Sequence, residues 1–278
     1  MCTAIAKKRF FGRTLDVDTY YDQQLVLAPE RLALHFGKKG TMKQHHAILG
    51  TACVKDGYPL FFDAMNGCGL CMAALDFPSP CRYFPAQPGK DNIASFQMIP
   101  WILGRCCSVA EAMPLLRRMS VWDAPFAPDT PPSPLHWLLS DGSRTVAVES
   151  VAEGLKIYDD EAGVLANEPS FPEQFAKEFS PKDKAAGLPG DFSSRSRFQR
   201  AAYLQKHGVC RTAADFFRLM APVTVPEGCS TGRHTMLTTC CDRKTGQYHA
   251  LSAESPFPVT MGMEGLHGDT LTRKDLKA

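Results

Sequence analysis

The first residues with clear chemical potential stand at the start of the chain, where Cys2 directly follows Met1. A small second residue usually permits removal of the initiator methionine, which would make Cys2 the mature N-terminus. A cysteine thiol has an ordinary pKa of about 8.5 and an α-amine one of about 7.7–8.0. Because the thiolate is the reactive form and the adjacent amine can take its proton, Cys2 is a candidate self-activated nucleophile. A cysteine at this position is also commonly incidental, so both interpretations stay open.

Two charged residues within the next fourteen positions could act on such a nucleophile. Arg13 closes a predicted strand, and Asp16 comes three residues later. A cation near a thiol favours the thiolate, and a carboxylate near an amine holds that amine in place. The same two residues would equally suit an ordinary surface ion pair.

Two later residues carry groups that suit the same chemistry. Asn167 stands just past a predicted strand, before Glu168-Pro169. Its amide could donate to an oxyanion, where a buried donor is worth about 2.7–4 kcal/mol of barrier. An asparagine before an X-Pro corner is also a common turn residue. Arg197 falls in the first turn of a predicted helix, where the helix dipole disfavours a cation. That position suggests a role outside the helix, although a solvated arginine also fits.

Motifs for metals and cofactors are weak. Cys68-Gly69-Leu70-Cys71 is a C-x-x-C motif, but the sequence has no second pair of cysteines or histidines at the spacing of a zinc site. Cys106-Cys107 and Cys240-Cys241 are adjacent pairs, which rarely chelate one metal, and His45-His46 is typical of a solvated turn. The sequence lacks Gly-x-Ser-x-Gly, P-loop and Gly-rich dinucleotide motifs. We therefore expect no metal and no cofactor.

Bulk composition excludes several classes of protein. The chain has 278 residues, of which 44% are hydrophobic and 22% charged, as in an ordinary globular protein. Its net charge of +2 gives no field that would attract nucleic acid or an anionic membrane. No apolar run is long enough to span a membrane, and no apolar segment follows the basic residues near the N-terminus. Eleven cysteines without a leader favour a cytoplasmic protein with mostly free, buried thiols.

The predicted elements would bring the candidate residues together. Residues 2–6 and 9–13 form a predicted N-terminal hairpin, which places Cys2 beside the end of the second strand. Residues 93–105 are predicted as a helix bent or broken at a proline, residues 170–190 mostly as a loop, and residues 194–207 as a helix. The order of strands, helices, strands, helices and strands suits a layered domain with antiparallel sheets.

Taken together, these residues and others along the chain resemble the choloylglycine hydrolase family of N-terminal-nucleophile amidases, which includes conjugated bile salt hydrolases and penicillin V acylases. The matching stretches are Met1-Cys2-Thr3, Phe11-Gly12-Arg13-Thr14-Leu15-Asp16, Tyr58-Pro59, Asp63-Ala64-Met65-Asn66-Gly67, Ala74-Leu75-Asp76-Phe77-Pro78, Leu135-His136-Trp137, Ser140-Asp141, Gly163-Val164-Leu165-Ala166-Asn167-Glu168-Pro169, Leu188-Pro189-Gly190-Asp191-Phe192 and Ser196-Arg197-Phe198. The resemblance implies a single α+β domain over residues 1–278, folded as a four-layer αββα sandwich of two antiparallel sheets.

The resemblance also implies a role for each candidate residue. Cys2 would be the nucleophile and its own α-amine the general base. Asp16 would orient that amine, and Arg13 would favour the thiolate. Asn167 would help to form the oxyanion hole, and Arg197 would hold the cluster together. The implied reaction is attack on an amide carbonyl, followed by hydrolysis of an acyl-thioester.

This sequence departs from the family at three places. Asp76 stands at a catalytic position where bile salt hydrolases commonly have asparagine and penicillin acylases often have tyrosine. An ionised aspartate has no side-chain donor, so the position could serve an oxyanion only through its backbone N–H. Lys55 lies in a loop that would line the acyl pocket, where it could pair with Asp76 or meet a polar substrate. The segment between Asn167 and Gly187 is shorter than in most relatives. A homo-oligomer is therefore possible, but the usual tetramer is not expected.

The acyl pocket implied by the resemblance must accept an apolar body, either a steroid or a phenoxyacetyl group. The candidate lining residues are Tyr20, Tyr21, Val54, Lys55 and Phe126. The expected partner is therefore a small-molecule amide.

Three interpretations of function remain at this stage. Asp76-Phe77-Pro78 is closer to the asparagine version of the motif than to the tyrosine version, which favours an amidase for glycine- or taurine-conjugated bile salts. A penicillin V acylase, or an acylase for another N-acyl amine, is the alternative within the class. From other classes, the chain could be an inactive relative that binds amphiphiles or a thiol redox protein.

Overall fold

The computed structural model describes residues 2–178, 187–229 and 232–276. Its strands are β1 (Cys2–Ala6), β2 (Phe10–Val17), β3 (Gln24–Ala28), β4 (Leu34–His35), β5 (Thr41–Met42), β6 (Ile48–Lys55), β7 (Tyr58–Asn66), β8 (Cys71–Asp76), β9 (Asp91–Ala94), β10 (Met119–Trp122), β11 (Leu135–Ser140), β12 (Thr145–Val151), β13 (Gly154–Asp159), β14 (Val164–Ala166), β15 (His234–Asp242), β16 (Gln247–Ser252), β17 (Val259–Gly262) and β18 (Thr272–Asp275). Its α-helices are α1 (Met98–Leu103), α2 (Val109–Arg118), α3 (Phe171–Glu178), α4 (Ser194–His207) and α5 (Ala213–Met220), and short 3-10 turns lie at Gly37–Lys39, Ser95–Gln97 and Ala221–Val223.

Two antiparallel sheets form the centre of the molecule. The six-stranded sheet has the order β14-β1-β2-β15-β16-β17, and the eight-stranded sheet has the order β13-β12-β11-β8-β7-β6-β3-β18. The sheets contact each other through β1 and β2 against β8, and through β16 against β6. Helices α4 and α5 pack on the outer face of the six-stranded sheet, whereas α1 and α2 pack on the eight-stranded sheet. The expected four-layer αββα sandwich is confirmed.

The N-terminal hairpin lies in the interior of the six-stranded sheet. β1 pairs with β14 on one side and with β2 on the other, and all five of its residues are buried. Cys2 is opposite Leu15, so Arg13 is its diagonal neighbour across the two strands. Because β2 extends to Val17, beyond the predicted end at residue 13, Asp16 lies within the strand rather than after it. The predicted hairpin is therefore confirmed, with a longer second strand.

Two predicted segments differ in the structure. Residues 170–190 were expected mostly as loop, but Phe171–Glu178 is helical. Pro172 fits there because the first turn of a helix leaves N–H groups without helical partners, and the Ser170 carbonyl accepts from the next turn. The helix predicted over residues 93–105 is confined to Met98–Leu103 and follows β9. The proline placed at its break lies in the first turn of that helix, where it is tolerated.

The core lies in two layers of apolar side chains. One layer joins the two sheets and extends under α4 and α5, and the other fills the space between the eight-stranded sheet and α1 and α2. Among the described residues, no helix is both long and apolar enough to cross a membrane. Residues 179–186, part of the segment whose length bears on subunit assembly, lie outside the described residues, so the oligomeric state stays a prediction.

Gly12 is required where β2 passes its neighbour in the six-stranded sheet. A Cβ at this position would lie 2.0 Å from the Thr239 carbonyl oxygen and 2.8 Å from a ring carbon of Phe216. We expect Gly12→Ala to lower the free energy of unfolding by at least about 1–3 kcal/mol, because a well-packed core cannot absorb the extra methyl group. Urea unfolding followed by circular dichroism measures the loss. Gly262→Ala is the matched control in the same sheet, because its Cβ would meet nothing within 4 Å.

Candidate active site

The Cys2 side chain is almost fully buried between the sheets, with 4% of its surface exposed. An Nη2–H of Arg13 donates a hydrogen bond to Cys2 Sγ. A guanidinium in that position stabilises negative charge on sulfur because it supplies both a positive charge and a directed donor. The structure therefore brings together two residues that the predicted hairpin had placed side by side, at the start of its first strand and the end of its second.

Arg13 itself is held by backbone oxygens from both sheets. Its Nε donates to the Thr14 carbonyl at 3.0 Å, and its Nη1 donates to the Ala74 carbonyl at 2.5 Å on the facing sheet. The carboxyl group of Asp63 is fully buried nearby and accepts hydrogen bonds from Tyr248 and Thr239 at 2.6 and 2.9 Å. Burial raises the pKa of Asp63, while the Arg13 cation acts in the opposite direction. Arg13 thus has a fixed orientation toward the sulfur.

The backbone nitrogen of Cys2 has a defined acceptor. It donates to Asn167 Oδ1 at 2.5 Å, and Arg197 Nη2 donates to the same oxygen at 3.0 Å. Asn167 Nδ2 donates to the Asp76 carbonyl at 2.8 Å. The orientation of the amide follows from these partners, since the flipped form would direct its N–H groups at two donors. Asn167 therefore connects the nucleophile on one sheet with Asp76 on the other.

Arg197 is fully buried and makes several contacts around Cys2. Its Nη1 donates to the Cys2 carbonyl at 2.6 Å and to Thr3 Oγ1 at 2.5 Å, and it lies 3.5 Å from Asp16 Oδ2. Burial lowers the pKa of Arg197, and the Asp16 carboxylate opposes that shift. An arginine nevertheless stays protonated at neutral pH. The cation in the first turn of α4 is thus explained by partners outside the helix.

Asp16 is fully buried and lies against Arg197. Its Oδ1 accepts a hydrogen bond from Thr235 Oγ1 at 2.6 Å, across the β2–β15 pair. The described acceptor for the Cys2 nitrogen is Asn167. The ion pair with Arg197 places Asp16 in the cluster around Cys2, and its effect on the amine stays a prediction.

Asp76 directs its carboxylate to a residue that the sequence did not suggest. Asp76 Oδ2 accepts a hydrogen bond from Arg233 Nη1 at 2.9 Å, and Arg233 Nε lies 4.0 Å from Asp18. The hydrogen bond to Asp76 raises the pKa of Arg233. The pairing of Asp76 with Lys55 that the sequence allowed is replaced by this ion pair.

A cavity of about 340 Å³ opens beside Cys2. Cys2, Arg13, Asp16, Asp76 and Arg233 all line it. Its apolar wall comes from both β7 and the loops facing it: Leu60, Phe61, Phe62, Phe96 and Phe126. The volume lies within the range of small-molecule sites, which are mostly apolar with a few placed polar groups.

The structure separates the residues predicted to line the acyl pocket into two groups. Tyr21, Lys55 and Phe126 line the cavity that contains Cys2. Val54 lies on the opposite face of β6 from Lys55 and packs into the core under α1, because successive side chains of a strand alternate. Tyr20 lines a different cavity, and its hydroxyl donates to the Gln23 carbonyl at 3.3 Å. Predicted lining roles for Val54 and Tyr20 are therefore not supported.

The family model described as linear amide C–N hydrolases, choloylglycine hydrolase family, matches residues 2–257. The chain belongs to this family. It is accordingly a hydrolase that acts on linear amides, and its buried N-terminal cysteine fits an N-terminal nucleophile.

Individual proteins of this family and fold are similar to this chain over almost its whole length. A bile salt hydrolase/transferase of Lactiplantibacillus plantarum is 33% identical over 97% of this chain and 94% of its own length. The structure of a mutant conjugated bile acid hydrolase from Clostridium perfringens matches with a TM-score of 0.91 at 26% identity, covering 99% of this chain and 97% of the other. A penicillin V acylase from Agrobacterium tumefaciens shares the fold, with a TM-score of 0.82 at 20% identity over 100% of this chain and 92% of its own.

Arg233 and Thr235 are site residues that sequence reasoning missed. Both lie at the start of β15, which the sequence identified only as a strand of a hairpin. The pairing of β15 with β2 brings this end beside Asp16 and Asp76. The sequence offered one signal for Arg233, a charged residue directly before a buried strand. Such residues are common in proteins, so the signal does not identify a site.

Loss of the Arg197 cation should impair turnover. We expect Arg197→Met to lower kcat/KM by about a hundredfold or more, because it removes the positive charge that balances the buried Asp16 and the donor to the Cys2 carbonyl. Steady-state kinetics on an amide substrate measures the effect. Lys206→Met is the control, since Lys206 lies on the same helix but is exposed. Equal activity of both variants would contradict the role given to Arg197.

Asp191 should stabilise the start of α4 in a pH-dependent way. Hydrogen bonds from Ser193 and Ser196 lower the pKa of Asp191 to about 2. Its contribution to stability is therefore complete above the ordinary carboxyl pKa and is lost as the pH falls through about 2. We expect Asp191→Asn to lower Tm at pH 7, with an unchanged difference from wild type down to about pH 5 and a shrinking difference below it. Thermal unfolding from pH 7 to pH 2 measures it, with exposed Asp269→Asn as control.

Proposed function

We propose that this protein hydrolyses the amide bond of glycine- or taurine-conjugated bile salts, with Cys2 as the nucleophile. The proposal rests mainly on one observation, that Cys2 lines an apolar cavity while its sulfur and nitrogen have separate partners in Arg13 and Asn167. The names of the relatives from L. plantarum and C. perfringens support the choice of substrate.

The reaction begins once Met1 has been removed and the Cys2 nitrogen is an α-amine. The amine takes the thiol proton, and the thiolate adds to the amide carbonyl carbon to give a tetrahedral oxyanion. As the oxyanion collapses, the C–N bond breaks and the leaving amine takes the proton from the α-ammonium. A water molecule then gives a proton to the α-amine and adds to the thioester. Collapse of this second intermediate releases the bile acid and restores the thiol.

The oxyanion is proposed to lie between Asp76 and Asn167. The carbonyls of Ala74 and Asp76 accept from Arg13 and Asn167, so alternate residues of β8 direct backbone groups into the cleft. In an extended strand the N–H of a residue points to the same side as its own C=O. The Asp76 N–H is therefore one proposed donor. The second N–H of the Asn167 amide is the other, because the first is used on Asp76.

The residues that line the cavity suit both halves of the substrate. The aromatic and aliphatic wall offers apolar surface for a steroid, which is the acyl half of a conjugated bile salt. Lys55 places a positive charge along the same cavity, where it can attract the carboxylate or sulfonate of a conjugated amino acid.

A substrate panel tests the proposal. We expect wild-type protein to release glycine from glycocholate and taurine from taurocholate, as measured by mass spectrometry, and to be much slower with penicillin V. Cys2→Ala should abolish turnover, whereas Cys210→Ser, at a partly exposed thiol that does not line this cavity, should leave it unchanged. The mass of the intact wild-type protein should show that Met1 is gone. Release of phenoxyacetate without glycine or taurine would instead make the protein a penicillin V acylase.

The Asp76–Arg233 pair gives a further prediction. An ionised carboxylate on the residue that donates to the oxyanion opposes the developing negative charge, and Arg233 at 2.9 Å neutralises it. We expect Arg233→Met to lower kcat by about tenfold, equivalent to about 1.4 kcal/mol of barrier. Asp76→Asn added to that variant should recover much of the loss, because it removes the unpaired charge.

Two controls separate neutralisation from binding of the substrate's acid group. Arg233→Lys keeps the charge and should retain most of kcat. An uncharged bile acid amide should lose as much rate in Arg233→Met as glycocholate does. A loss confined to KM for acidic conjugates would mean that Arg233 binds the substrate anion instead.

A further inference from the structure

A second group of reactive side chains lies at the opposite end of β8 from Asp76. His46 precedes β6, Cys68 lies in the turn between β7 and β8, and Cys107 lies just before α2. One nitrogen of His46 and the two sulfurs all lie within 4.8 Å of one another. The mechanism at Cys2 uses none of the three. They are the donor types that zinc prefers.

The segments that carry these ligands are fixed independently of the sulfurs. The Asn66 amide donates to the Leu103 and Cys106 carbonyls at 2.8 and 2.7 Å, and its oxygen accepts from the Cys68 N–H at 3.1 Å. The His46 N–H donates to the Gly104 carbonyl at 3.0 Å. The site is therefore built before any ligand binds, which lowers the cost of binding.

Cys68 and Cys107 form a disulfide in the structure. His46 Nε2 lies 3.4 Å from Cys107 Sγ, and His46 Nδ1 lies 3.9 Å from Cys68 Sγ. Zinc–sulfur bonds of about 2.3 Å and zinc–nitrogen bonds of about 2.0–2.1 Å place neighbouring ligand atoms of a tetrahedral site roughly 3.5 Å apart. The imidazole already has this spacing from one sulfur, and reduction frees both sulfurs to adopt it.

We propose that the reduced form of this cluster binds a zinc-type divalent cation through Cys68, Cys107 and His46. A dithiol supplies two electrons and two protons to the disulfide and is itself oxidised to a disulfide. The cation then displaces both thiol protons, which leave to solvent, and the two thiolates balance its charge. Water takes the fourth position. The disulfide and the bound cation are alternative cross-links between the β7–β8 turn and the start of α2.

The C-x-x-C motif in the sequence suggested that Cys68 would act together with Cys71, whereas its partner in the structure is Cys107. In Cys68-Gly69-Leu70-Cys71, the second cysteine is fully buried and its thiol donates to the Gly69 carbonyl at 3.5 Å. Cys68 is exposed, and its partner Cys107 lies 39 residues further along the chain. The expectation of no metal followed from ligand spacing, and the fold brings ligands together from three separated segments.

Cobalt and zinc titration of the full-length protein tests the proposal. The protein is reduced with dithiothreitol, desalted without oxygen and titrated with Co²⁺, with Cys2→Ala included so that the nucleophile cannot contribute. We expect one cation per chain with thiolate-to-cobalt absorption in the near ultraviolet, displaced by Zn²⁺. The same protein before reduction should bind none, and because its sequence is identical this comparison does not depend on a variant folding.

Variants then assign the ligands. Cys68→Ser and Cys107→Ser should each abolish the absorption, and His46→Ala should weaken binding by about tenfold or more because one protein ligand is lost. Cys210→Ser should bind as wild type does. The proposal is overturned if reduced wild-type protein shows no thiolate–cobalt absorption, or if that absorption survives in both cysteine variants. Activity at Cys2 is not part of either readout, so failure of the proposed function would leave this test intact.

Discussion

A buried cation, Arg197, is the interaction on which the site depends. One guanidinium contacts the Cys2 carbonyl, the Thr3 hydroxyl and the Asn167 amide oxygen, and Asp16 balances its charge from 3.5 Å away. A charge taken out of water is costly unless its donors are satisfied, and here they are satisfied by the groups that must be positioned. The free energy of burying the cation is therefore linked to correct assembly of the nucleophile.

The proposed catalytic groups come from both sheets, so the relative position of the sheets determines the geometry of the site. Arg13 reaches from the six-stranded sheet to the Ala74 carbonyl, and Asn167 donates to the Asp76 carbonyl on the same strand. Both contacts end on the cleft edge of β8. The proposed acyl cavity lies beside that edge. Arg233, which also lines the cavity, donates a hydrogen bond to the Asp76 carboxylate. Catalysis and substrate binding thus share one boundary.

The sequence predicted the parts of this site that depend on local pattern or on family motifs. The hairpin at Cys2, the helix over residues 194–207 and the residues around Arg197 are all local in sequence or resemble known motifs. Three other features depend on contacts between distant segments. They are the Asp76–Arg233 pair, the exclusion of Val54 from the cavity and the disulfide partner of Cys68. Val54 could have been placed by strand alternation if the face that contains Lys55 had been known. The position of Arg233 beside Asp76 follows from the register of β15 against β2, which the sequence does not reveal.

The position of β1 has a consequence for how the terminus behaves. Chain ends are ordinarily the most mobile part of a protein, and a nucleophile carried there would sample many positions away from its substrate. Here β1 lies between two other strands and is buried along its length. Folding has already removed the motional freedom of the terminus, so little more is lost when substrate meets the thiol. The same arrangement links the chemistry to how the chain is made, because a peptide tag fused ahead of Cys2 would turn the α-amine that the proposed mechanism needs into an amide without basicity.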